Sequence, residues 1–147
     1  MRLSNYFTLE EFVTSQTAKR LGIINKPSNE AVNNLQLLCK RVLEPLRMQC
    51  GPVVVSSGYR SPALNKAIGG STSSQHCKGQ AADIIVPGYD NLEVAKYIKG
   101  LLVFDQLILE FYPGGWIHVS YSKDINRGSL LRATKVRGKT KYLEGIE

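Results

Sequence analysis

The chain has 147 residues, 43% hydrophobic and 21% charged, enough to bury a core without disulfides or structural metal and too apolar for wholesale disorder. No apolar run reaches the roughly 20 residues of a membrane span, and the opening MRLSNYFTLEEF has no apolar stretch of the secretion-signal kind. The net charge of +7 is weighted toward the end, with seven Lys/Arg against three acids from Lys123 onward. That surface suits a polyanion, but no basic helix with interleaved aromatics marks nucleic-acid binding as the primary role.

Three widely spaced cysteines, Cys39, Cys50 and Cys77, are an odd number and read as reduced thiols. Thr8 and Glu11 form a T-x-x-E capping box, with Phe7 and Phe12 at the positions of a hydrophobic staple. The helix they start runs to Lys19 and Arg20 before Gly22, a C′ residue. A second helix is expected from about Glu30 to Gln49, where Leu35, Leu38, Val42 and Leu46 keep helical spacing and Pro45 implies a kink or early stop.

A β-branched run, Pro52–Ser56, reads as a buried strand. Residues 57–80 are dense in Gly, Ser, Asn and Gln, with a helical turn over Pro62–Ile68; so long a weakly structured segment inside one domain is usually functional. Ala82–Val86 is a strand, and Asp90 and Glu93 begin a third helix that ends near Gly100. Val103–Phe111 and Trp116–Tyr121, joined by Tyr-Pro-Gly-Gly, form an antiparallel hairpin. Leu130–Ala133 is a further strand candidate. The expected architecture is a single α+β domain over residues 1–147, N-terminal helices on a small antiparallel sheet, with a basic segment from about 123.

The two histidines are the informative residues. Asp83 follows His76 by seven positions at a strand start, and alternation in Trp-Ile-His-Val-Ser puts His118 on the face of Trp116 and Ser120, opposite Ile117 and Val119. Two imidazoles and a carboxylate are a common catalytic zinc set, leaving a fourth position for water whose pKa the metal lowers from 15.7 toward roughly 7. Spacing alone leaves open that both histidines are ordinary polar residues.

The run Ser57-Gly58-Tyr59-Arg60-Ser61-Pro62, Leu64-Asn65, Gly69-Gly70-Ser71, and then Ser74, His76, Gly79, Ala81 and Asp83 as S-x-H-x-x-G-x-A-x-D, resembles the M15 zinc peptidases. These are D-alanyl-D-alanine carboxypeptidases and phage-type peptidoglycan endopeptidases. The W-x-H-V element at Trp116, His118 and Val119 agrees. So does a prophage-type N-terminal part: the F-T-x-x-E opening, Ser15-Gln16-Thr17-Ala18 and Val42–Arg47. The resemblance spans about residues 6–122. It implies a hedgehog/DD-peptidase-like fold, one zinc held by His76, Asp83 and His118, and an arginine, Arg60, contacting the substrate carboxylate or the developing oxyanion. The alternative is an Arg60 that braces the loop. Ser74 reads either as a contact to substrate or as a loop serine bonding its own backbone, Trp116 as a substrate contact, and Asn65 as a loop brace.

One departure bears on mechanism. Many M15 members carry a glutamate three residues before the second histidine, where this chain has Gly115. Glu110 and Asp105 are the remaining acids nearby. In a strand over Phe104–Phe111, Glu110 shares the polar face with Gln106 and Ile108, while Asp105 shares the apolar face with Leu107 and Leu109. Glu110 is therefore the expected general base, with Asp105 as the alternative. The expected function is zinc-dependent hydrolysis of peptidoglycan stem peptides by a monomeric, phage- or prophage-encoded protein made without a signal peptide. The alternative is a non-catalytic wall-binding or phage-particle module that keeps the fold.

Overall fold

Local signals at the N-terminus decide the first elements. In the computed structural model, which describes residues 1–147, Thr8 donates its N–H to Glu11 Oε2 at 2.7 Å and opens α1 (Leu9–Val13). Phe7 and Phe12 meet edge to face with centroids 6.0 Å apart, closing the staple. The helix does not continue to Arg20 as one piece. Ser15 turns extended and accepts the Ala18 N–H at 3.1 Å, starting a separate α2 (Gln16–Leu21) that ends on left-handed Gly22. A serine whose hydroxyl can replace a helical carbonyl as acceptor favours the cap over the helix interior.

The second predicted helix passes its proline without stopping. It comprises α3 (Asn29–Leu38), a π-helical turn (Cys39–Leu43) and α4 (Glu44–Cys50). Pro45 has no N–H to give to the carbonyl four residues back, and its ring would strike that carbonyl. The widened turn, in which the Glu44 N–H bonds Cys39 O, absorbs the mismatch. Leu35, Leu38, Val42 and Leu46 are all fully buried, each contributing about 1.5–3 kcal/mol.

Six strands form one sheet: β1 (Val54–Ser57), β2 (Ala81–Ile85), β3 (Gln106–Glu110), β4 (Trp116–Ser120), β5 (Ser129–Val136) and β6 (Lys139–Glu144). Their order is β1-β2-β4-β3-β5-β6. All neighbours are antiparallel except β3 and β5, which run parallel, so the expected antiparallel sheet is a mixed one. α5 (Pro62–Ala67) and a 3₁₀ turn (Gln75–Lys78) interrupt the loop between β1 and β2, and α6 (Asn91–Leu101) joins β2 to β3. Asp90 stands at the start of α6, but its carboxylate accepts the Tyr112 hydroxyl at 2.7 Å and makes no cap bond.

The basic segment is more structured than its composition suggested. It builds the β5–β6 hairpin, turning at Arg137 and Gly138, both with positive φ, as a tight hairpin turn requires. Arg-Gly is a weaker turn signal than Asn-Gly, which is why β6 escaped the sequence reading.

Alternation divides the sheet. Ala82 and Ile84 of β2, Leu107 and Leu109 of β3, and Ile117 and Val119 of β4 join one apolar core with Leu35 and Val42 from the long helix and Val94 and Ile98 from α6. The opposite face carries Asp83, Glu110, Trp116 and His118, and the 3₁₀ turn of the β1–β2 loop packs against β2. This is a small α+β domain with one face of its sheet free for chemistry.

Candidate metal centre and active site

Strand register alone sets two of the three predicted ligands side by side. Asp83 on β2 pairs with His118 on β4, and His118 in turn pairs with Ile108 on β3. One pair further along, Glu110 lies opposite Trp116. All these residues share the open face. Ala81 does as well, whereas Ala82 points into the core.

His76 arrives from the loop. Ser74 Oγ accepts the His76 N–H at 3.2 Å and caps the 3₁₀ turn. The turn closes on Gly79 at φ +72°, where a Cβ would stand 2.3 Å from Ala31 O. Only glycine permits both the left-handed backbone and the close approach to α3. Asn34 holds the same turn from the helix, donating to Lys78 O at 2.9 Å. Within the loop, Asn65 donates to Ser71 O at 2.7 Å and is 3% exposed, a brace as expected.

Asp83 Oδ1 lies 3.3 Å from His76 Nε2 and 3.1 Å from His118 Nδ1. One donor atom from each of the three falls within 4.8 Å of the others. His76 Nδ1 lies 2.7 Å from the Gly58 carbonyl. A carbonyl only accepts, so that nitrogen carries the hydrogen and Nε2 keeps its lone pair. His76 Nε2 is buried without a hydrogen-bond partner, an arrangement that costs free energy unless a cation completes it. Burial lowers the His76 pKa. Burial would raise that of Asp83, but the His118 hydrogen bond and the close approach of the His76 ring outweigh this and hold the carboxyl well below its usual range. Neutral imidazole and ionised carboxylate are the states a metal needs, so the residues present fit a divalent cation such as zinc.

The three line a cleft of about 880 Å³, together with Arg60, Ser74, Glu110, Trp116 and Tyr142. Glu110 is 9% exposed and accepts the Trp116 indole N–H on Oε2 at 2.6 Å. Burial first, then the charge of Asp83, pushes its pKa up. The turn between β3 and β4 makes this arrangement. Gly115 sits at φ +68°, and a Cβ there would fall 1.8 Å from Glu110 O. No glutamate can occupy position 115 in this turn, whereas Glu110 reaches the cleft from the strand before it. Arg60 also lines the cleft, and its Nε is buried without a partner.

Asp105 is placed differently from expectation. β3 begins at Gln106, so strand alternation does not extend to Asp105, and its carboxylate faces neither the core nor the metal residues. Arg127 grips it with Nε at 3.0 Å and Nη2 at 2.9 Å, the Arg127 N–H donates at 3.0 Å, and Gln75 Nε2 donates at 2.9 Å. The Arg127 hydrogen bond holds its pKa low. Asp105 thereby ties the loop bearing His76 to the segment after β4. Asp105→Asn should cost about 1–3 kcal/mol of stability with little change in turnover. Because the folded pKa is depressed, the stabilisation is present above the unfolded carboxylate pKa of about 3.9 and fades below it. The melting-temperature gap between wild type and variant should therefore close as the solution is acidified. A variant that melts normally but is inactive would return the base role to Asp105.

Sequence reasoning missed Arg127, Gln75, Tyr142 and the Gly58 carbonyl. Only Gly58 left a signal, standing beside the Tyr-Arg pair. Tyr142 enters the cleft through the parallel β3–β5 pairing, which no local pattern announces.

Two imidazoles and a carboxylate meeting at the wall of an open cleft, on a mixed sheet backed by helices, are a donor set suited to a catalytic metal. The sequence matches the Peptidase M15 family over residues 5–120. The chain belongs to that family and is a metallopeptidase; M15 peptidases are zinc-dependent. A comparison with curated proteins gives no match. The β5–β6 hairpin lies beyond the matched residues.

Proposed function

We propose that this chain is a zinc peptidase that hydrolyses peptide bonds in peptidoglycan stem peptides. The observation that carries the reading is the orphaned His76 Nε2 facing Asp83 and His118, with a buried carboxylate of raised pKa, Glu110, in the same cleft. His76, Asp83 and His118 would hold the zinc. Bound there, zinc supplies Lewis acidity that polarises the scissile carbonyl and acidifies a water to a pKa of roughly 7.

The rest falls to the chain's own side chains. Glu110 takes the proton of the attacking water on its carboxylate and delivers it to the leaving amine, a role its raised pKa suits. The Trp116 N–H on Oε2 fixes the orientation of that carboxylate and leaves Oε1 to take the proton. Arg60 presents a guanidinium to the oxyanion or to a substrate carboxylate. Ser74 accepts from the His76 backbone and keeps its own hydroxyl proton for a substrate carbonyl, while the Trp116 ring gives the peptide an apolar wall.

Wall peptide as substrate is supported by the S-x-H-x-x-G-x-A-x-D and W-x-H-V motifs, and by a positive charge of +7 that suits an anionic wall. The prophage-type N-terminal segment supports a phage or prophage origin, and we take the protein to act as a monomer. Glu110, lining the same cleft as the metal residues, supports the catalytic reading over the non-catalytic alternative.

The test is release of new amino groups from purified peptidoglycan. Zinc-loaded protein should release them, and a chelator should stop the release until zinc is returned. Tight wall binding with no release at any zinc concentration would favour the module.

A further inference from the structure

Beside the catalytic cleft lies a second groove of about 790 Å³ that the proposed chemistry does not use. One wall is α1 and the start of α2, from Glu10 to Thr17; the other is β1. Its lining is rich in hydroxyls and amides, with Thr14, Ser15, Gln16, Thr17 and Ser56 among them. The two acids there are engaged, Glu10 with the N-terminal ammonium and Glu11 with the Thr8 N–H.

Two features make this groove more than a crevice. β1 is an edge strand, paired on one side only, with β2. The backbone of Val53–Ser57 makes no hydrogen bond outside that ladder, so the edge offers unused donors and acceptors to an extended chain. Val54 is half exposed along it. The groove is also continuous with the catalytic cleft, because Ser57, Arg60 and Ile68 line both. A strand laid along β1 therefore leads past Arg60 toward His76 and Asp83.

We infer that the groove seats an extended peptide by strand addition to β1, so that the enzyme takes peptides running beyond Arg60 and cuts them internally. The inference rests on the peptidase reading and deepens it, deciding for endopeptidase over carboxypeptidase action. The four residues of β1, at about 3.3 Å each, give an edge long enough for about four substrate residues. Main-chain pairing supplies the affinity, and the open groove tolerates varied side chains.

The experiment titrates isotope-labelled, zinc-loaded protein with uncleavable reduced-amide analogues of a stem peptide, one of two residues and one of six, followed by backbone amide shifts. The longer analogue should move the Val54–Ser57 amides and bind at least about tenfold tighter. Val54→Lys, which alters an exposed side chain beside the paired backbone and outside the catalytic set, should reduce that gain severalfold and leave the short analogue's affinity unchanged. Equal affinity at both lengths, or shifts around His76 and His118 with β1 silent, would overturn the inference while leaving the peptidase reading intact. No shift in either region would overturn both.

Discussion

Glu110→Gln should leave a folded, zinc-loaded protein whose turnover on peptidoglycan falls by about 10²–10⁴-fold, the usual worth of a positioned acid–base group. The substitution keeps the shape of the side chain and an oxygen for the Trp116 N–H, but removes the proton acceptor. Zinc content and melting temperature should stay near wild type. A small stability gain is compatible with the account, since burial disfavours the ionised carboxylate at this position. Substrate KM should change little, because the loss lies in proton transfer and not in binding. Full activity in this variant would remove Glu110 from the mechanism, and if Asp105→Asn were active too the base would have to come from the substrate.

Loss of the metal is the second large effect. His118→Ala deletes one of the three proposed ligands and should abolish stoichiometric zinc retention after dialysis, with activity lost in parallel. Asp83→Asn should weaken binding less, since it keeps an oxygen but loses the charge. Cys77 is the control. It follows His76 directly in sequence, yet it is not part of the group that meets within 4.8 Å. Cys77→Ser should therefore keep zinc and activity near wild type, and a collapse of zinc binding there would mean the ligand set is wrong.

How far the sequence could be read follows from the range of the interactions involved. Elements set by neighbours were legible: the capping box at Thr8, the strand turn at residues 112–115, and the alternation that puts His118 opposite Ile117 and Val119. The α+β class followed from these. The split at Ser15 and the π turn before Pro45 were not, because each is a competition between two locally satisfactory hydrogen-bonding schemes. β6 and the parallel β3–β5 pair depend on residues distant in sequence, and with them Tyr142 entered the cleft unannounced. Asp105 was misjudged for a smaller reason. Extending the strand by a few residues assigned it a face, when in the fold it precedes β3 and meets Arg127 instead. The metal residues were suggested by chemistry, and their grouping came from family resemblance; Glu110 was reached through strand parity, which held within β3.

The central claim is that His76, Asp83 and His118 together hold one zinc ion. Anomalous X-ray scattering from zinc-loaded crystals, recorded on both sides of the zinc absorption edge, tests it most directly. The account predicts one strong peak per chain bounded by His76 Nε2, the Asp83 carboxylate and His118 Nδ1, on the cleft side of the sheet. A peak elsewhere, or none at this position in crystals grown with excess zinc, would contradict it.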